Sequence, residues 1–103
     1  MTTLYHVATD YDGGDLNSLY NQYGNDAYDM FAERWPESDN LGQYHAHYVH
    51  LHDNMQDAQG FAATYGGEIL IIDATDLDVK IDNLEYRHPI VEGCIPSQYI
   101  RRA

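Results

Sequence analysis

The segment Glu68-Ile-Leu-Ile-Ile-Asp73 constrains this chain more than any other stretch. Its apolar run has no polar alternation, which describes a central strand buried on both faces. Both faces then need cover, and 103 residues supply one core and one domain, 1–103. The preceding residues supply part of that cover. Met55, Ala58, Ala62 and Tyr65 fall on one face of a helix, and Gly66-Gly67 ends it as a left-handed cap requires. Asp53, three residues before Gln56, forms a variant of the capping box at its start.

The same reading organises the rest of the chain. Thr3–Ala8 has strand character and opens the domain, and Asp10–Gly14 is a turn by composition. From Asp15, residues Leu16, Leu19, Tyr20 and Tyr23 mark one helical face. Asp26 caps a second helix that carries Ala27, Met30, Phe31 and Trp35 inward, and Pro36 stops it. Pro36–Gly42 is a polar loop. Tyr44–His52 reads as a strand, with Val49 and Leu51 on one face and Tyr48, His50 and His52 on the other. Ala74–Asp78 is a turn and Val79 and Ile81 mark a weak strand. Pro89–Val91 and Ile95–Ile100 close the domain. Helices early and strands late favour an α+β layout over βαβ alternation.

The 17 acidic against 5 basic side chains give a net charge of -12. Nucleic-acid affinity comes largely from Lys and Arg displacing counterions, so direct nucleic-acid binding is not expected. Two explanations of the charge stand: adaptation to salty surroundings, marine or halophilic, and mimicry of nucleic acid. A hydrophobic fraction of 44% is too high for a disordered chain. The 10 tyrosines suit a core edge or cleft, because each buries a ring and keeps a polar tip. One cysteine, Cys94, permits no internal disulfide and suits a reducing compartment. With no apolar leader and no apolar run near membrane length, a cytoplasmic protein without membrane partners is expected.

His45, His47, His50 and His52 form a conspicuous group. Imidazoles ligate zinc, but a straight strand sends His45/His47 and His50/His52 to opposite faces, so no metal site is expected. Cys94, between Gly93 and Ile95, reads as a small core residue. Glu68, Asp73, Glu85 and Glu92 are the carboxylates flanked by apolar or constrained residues, and Glu92 stands where a strand could end at a cleft. His6 lies within the apolar opening strand.

Several pieces, in order, resemble the ADP-ribosyltransferase superfold. Leu4-Tyr5-His6 is similar to the family's first-strand "YH". Tyr48–Asp53 and then Met55–Gly67 resemble its second strand and the helix after it, which contains "DA" and ends in "YG". Glu68–Asp73 matches the next central strand, and Val91–Ile100 is similar to a closing V-x-G-x-I-P-P-E-x-I. The resemblance spans about Leu4–Ile100. It implies a small split sheet, with helices in the N-terminal half and one helix between central strands. It also implies NAD as cofactor, with His6 on the adenosine ribose, Tyr48 on a ribose or ring, and Tyr65 stacked on nicotinamide. A glutamate would stabilise the oxocarbenium-like state as nicotinamide leaves. The family's glutamate stands about five residues before the closing glycine, which here falls on His88. Glu85 and Glu92 are the neighbouring carboxylates, so Glu85, His88 and Glu92 are the candidates for the catalytic position.

Three functions are therefore expected in competition. One is transfer of ADP-ribose from NAD+ to a macromolecular acceptor, a protein among them. Another is a catalytically inactive interaction module, of the kind found in phage or toxin–antitoxin systems. The third is an acidic inhibitor or nucleic-acid mimic.

Overall fold

The computed structural model describes residues 2–34, 46–81 and 88–103. In chain order the elements are β1 (Thr3–Ala8), β2 (Leu16–Asn17), α1 (Leu19–Tyr23), α2 (Asp26–Arg34), β3 (Tyr48–His50), α3 (Met55–Tyr65), β4 (Glu68–Asp73), β5 (Val79–Ile81), β6 (Pro89–Glu92), β7 (Cys94–Ile95), a 3-10 turn (Ser97–Tyr99) and β8 (Ile100–Arg102). This is the α+β layout expected, with two helices early and α3 between β3 and β4.

The strands form two three-stranded antiparallel sheets, β1-β4-β8 and β3-β6-β5, and a short β2-β7 pair. The run Glu68–Asp73 is indeed central, flanked by β1 and β8. Leu70 and Ile72 are wholly buried, while Ile69 and Ile71 on the opposite face are partly covered, where α3 packs on β1 and β4. The core lies between the sheets. Leu4, Leu70 and Ile72 of the first sheet form one cluster with Val49, Leu51 and Val91 of the second, closed by Leu16, Ala74 and Ile95. Full burial of each large aliphatic side chain is worth roughly 1.5–3 kcal/mol.

The first helical stretch differs from expectation. Leu16 does not join α1; it pairs with Ile95 in the β2-β7 ribbon. Ser18 then caps α1, its Oγ accepting from the N–H of Asn21 at 3.2 Å, while its own N–H donates to the Gly93 carbonyl at 2.7 Å. A residue that can serve a helix stripe is thus taken by a distant strand. In α2, Asp26 lies within the first turn, Ala27 and Phe31 are buried, and Met30 is exposed rather than inward. Trp35 and Pro36 lie outside the described residues.

Asn54, not Asp53, caps α3: its side chain accepts from the N–H of Asp57 at 2.8 Å. Gly66 ends the helix with φ +81, as the paired glycines predict. Gly67 has φ +111, and a Cβ there would stand 2.9 Å from the Ala8 carbonyl oxygen. Only glycine lets β4 start this close to the end of β1. Asp73 accepts from the N–H and hydroxyl of Thr75 at 3.2 and 2.8 Å, which holds its carboxyl below the usual range and fixes the turn after β4. No helix among the described residues is long and apolar enough to cross a membrane.

Two glycines separate backbone strain from helix propensity. Gly60→Ala, in mid-helix with open space around its Cβ, should stabilise the fold by about 0.5–1 kcal/mol. Gly67→Ala should destabilise it by more than about 1 kcal/mol. Urea midpoints of the two variants against the parent chain check both signs.

Candidate functional site: the crossing of β3 between the sheets

The chain around β3 belongs to both sheets in turn. Tyr48, Val49 and His50 pair with Glu92, Val91 and Ile90 of β6, and the N–H of Leu51 still donates to the Pro89 carbonyl at 2.9 Å. One residue later the chain has changed partners. His52 exchanges both backbone hydrogen bonds with Tyr5 of β1, at 2.7 and 3.0 Å. Val49 and Leu51 point into the core throughout, so the alternate residues Tyr48, His50 and His52 are carried on the other side.

His6 fixes this crossing from β1. Its Nδ1 donates to the His50 carbonyl at 2.7 Å. A carbonyl oxygen only accepts, so Nδ1 carries the proton. Burial lowers the proton affinity of the ring, more than the hydrogen bond to His50 raises it. The neutral ring then presents Nε2 as an acceptor. His50 turns its own ring toward β6, where its Nδ1 lies 2.7 Å from Nε2 of His88. Phe31 of α2 packs near His50 at a ring separation of 6.2 Å.

Tyr48 and Glu92 are direct cross-strand neighbours, so both side chains leave the same face of the sheet. Glu92 is exposed and lies 3.7 Å from Lys80 Nζ, in an ion pair whose side chains are half or more open to solvent. Such a pair is worth little to the fold, about 0–1 kcal/mol. Tyr65 stands apart from this group, on the last turn of α3. It is half exposed and stacks on Phe61 at 4.6 Å, and Phe61 stacks on His52 at 5.2 Å. His6, Tyr48, His88 and Glu92 therefore gather around β3, whereas Tyr65 reaches it only through an aromatic row. Glu85 lies outside the described residues.

The straight strand expected over Tyr44–His52 is shorter, because Ala46 and His47 form a turn before β3. The neighbouring histidines consequently part company. His47 packs on Tyr20 at 4.2 Å and meets the Tyr28 hydroxyl at 3.0 Å through Nε2. His50 meets His88, and His52 meets Phe61. His45 lies outside the described residues. Among the described residues no three His, Cys, Asp or Glu side chains converge as a metal site would require. Cys94 is partly buried, and burial pushes its thiol up, away from the thiolate that nucleophilic chemistry needs.

The contact between His50 and His88 went unread in the sequence, where His88 was singled out only by its distance from Gly93. A signal for it exists: aligning Val49 with Val91 by alternation brings His50 opposite Ile90 and beside His88.

Substitutions should separate structural from dispensable members of this group. His6→Leu removes the imidazole donor from the His50 carbonyl and should cost about 1–3 kcal/mol. Glu92→Gln removes only an exposed ion pair and should change stability by less than about 1 kcal/mol. Denaturant unfolding of both variants measures the difference.

In comparison with known proteins, the chain matches no family model, no curated protein and no solved structure.

Proposed function

We propose that the crossing of β3 is a binding site for NAD+, in a small ADP-ribosyltransferase-like domain. The observation that carries this reading is the tautomer of His6. Its Nδ1–H is committed to the His50 carbonyl, so a neutral ring offers Nε2 as an acceptor for a ribose hydroxyl. Tyr48, two residues before His50 on β3, is a partly buried aromatic side chain directly across from Glu92. Charge is consistent with a role for the few cations: Lys80 stands beside Glu92, where a pyrophosphate would find a partner.

Transfer of ADP-ribose to a macromolecular acceptor would assign Glu92 the carboxylate role. Its charge would offset the positive charge that develops on the nicotinamide ribose as nicotinamide leaves. A second reading, a binding module without transfer, draws on the same residue. A carboxylate open to water and paired with a lysine loses most of its leverage on a developing cation, since the interaction weakens with the local dielectric. His88, at the other candidate position, is engaged with His50.

Thermal unfolding with millimolar NAD+, together with nicotinamide release, distinguishes these readings. Ligand at about 100 times its dissociation constant adds roughly 2.7 kcal/mol, which raises the midpoint on the order of 10 °C for a domain this small. Tyr48→Ala should abolish that shift. Release of nicotinamide by the parent chain but not by Glu92→Gln supports transfer. A shift without release supports the binding module, and no shift at any salt concentration overturns NAD+ binding altogether.

A further inference from the structure

The first sheet carries a groove away from the crossing of β3. It has a volume of about 340 Å³, and Thr3, Ile71, Asp73, Gln98, Tyr99 and Arg101 line it. No residue of β3, β6 or α3 belongs to that lining. Register places four of its side chains. Thr3 pairs with Asp73, and Ile71 pairs with Arg101. Strand alternation then sends all four to one face of the sheet, opposite the buried Leu70 and Ile72.

The groove thus holds one cation and one carboxylate on a single face. Arg101 and Asp73 are diagonal neighbours across β8 and β4, about 7–8 Å apart at the backbone. Among the described residues they are not joined in an ion pair, and Arg101, unlike Arg102, has none at all. Thr75 holds Asp73 in place. Its hydroxyl and its N–H both donate to the same oxygen, Oδ1. Those bonds keep the carboxyl ionised, and the chain's amino terminus, the weakest influence on it, acts in the same sense. Among the described residues Oδ2 accepts no hydrogen bond.

Charge decides what fits. A simple anion would meet Asp73 here and a net charge of -12 at long range. A simple cation would meet Arg101, and would find the whole acidic surface as attractive as this groove. A small molecule with both charges and no net charge satisfies Arg101 and Asp73 together and escapes the long-range repulsion. A guanidinium fork matches a carboxylate, and a carboxylate oxygen accepts from an ammonium. We infer that this groove binds a free α-amino acid, with its carboxylate on Arg101, its ammonium on Asp73 Oδ2, and an apolar or aromatic side chain against Ile71 and Tyr99.

Amide spectra of the full chain, titrated with millimolar L-phenylalanine, test the site. Saturable shifts should centre on Thr3, Ile71, Ile72 and Arg101. N-acetyl-phenylalanine lacks the ammonium and phenylalaninamide lacks the carboxylate, so each should bind about tenfold or more weaker. No shift with phenylalanine overturns the proposal. So does a derivative that binds as well as the parent amino acid, because one charge or the ring alone would then suffice. Arg101→Gln changes an exposed side chain without an ion pair, and Asp73→Asn keeps an oxygen for Thr75, so both variants should fold. Each should weaken phenylalanine binding about tenfold or more, and unchanged binding in either refutes the assignment.

Discussion

The two hydrogen bonds between Tyr5 and His52 hold the architecture together. On either side of them the chain is an ordinary antiparallel sheet. Among the described residues, only at this point does a segment finish pairing with β6 and begin pairing with β1. Backbone polar groups buried without partners are costly, and a chain leaving one sheet without entering the other would strand them next to Leu51, which is almost wholly buried. The immediate exchange of partners therefore lets Val49 and Leu51 stay in one core while their neighbours serve two sheets.

Burial and chemistry are linked at the same place. His6 is on the core-facing side of β1, in register with Leu70, because strand alternation puts it there. A polar ring so placed requires a partner, and the His50 carbonyl is available because the crossing has turned that stretch of backbone toward β1. The fold thus sets the tautomer of His6, and the tautomer decides what the ring can offer a ligand. Glu92 stands at the opposite extreme. It is fixed in register beside Tyr48 but not enclosed, so its position follows from the sheet and its electrostatics from water.

What could be read in the sequence was what local patterns determine. The opening strand Thr3–Ala8, the apolar run Glu68–Asp73 and the helix ended by Gly66-Gly67 have the bounds their patterns predict. Patterns whose meaning depends on distant partners were less legible. Leu16 satisfies a helical stripe, yet it pairs with Ile95, 79 positions along the sequence numbering from 16 to 95. Tyr65 also fits a helical stripe but lies half exposed, on the last turn of its helix. The candidate site was legible residue by residue and not as an arrangement. His6 and Tyr48 could be named from their strands, while the meeting of His50 with His88 required the β3-β6 register, which strand composition alone leaves free.

The β8 edge bears on how copies of this chain behave toward one another. Among the described residues β8 pairs on one side only, with β4. An open edge invites pairing with a like strand from another molecule. Here that edge carries Arg101 and Arg102 in succession. Arg102 folds back to hold Glu68 at 2.8 and 3.1 Å and the Tyr11 carbonyl at 2.9 Å, with its guanidinium over the Tyr11 ring. Two β8 strands brought side by side would set arginine against arginine, and the bodies behind them would each carry a charge of -12. Edge-to-edge pairing of two copies is thus opposed at both short and long range.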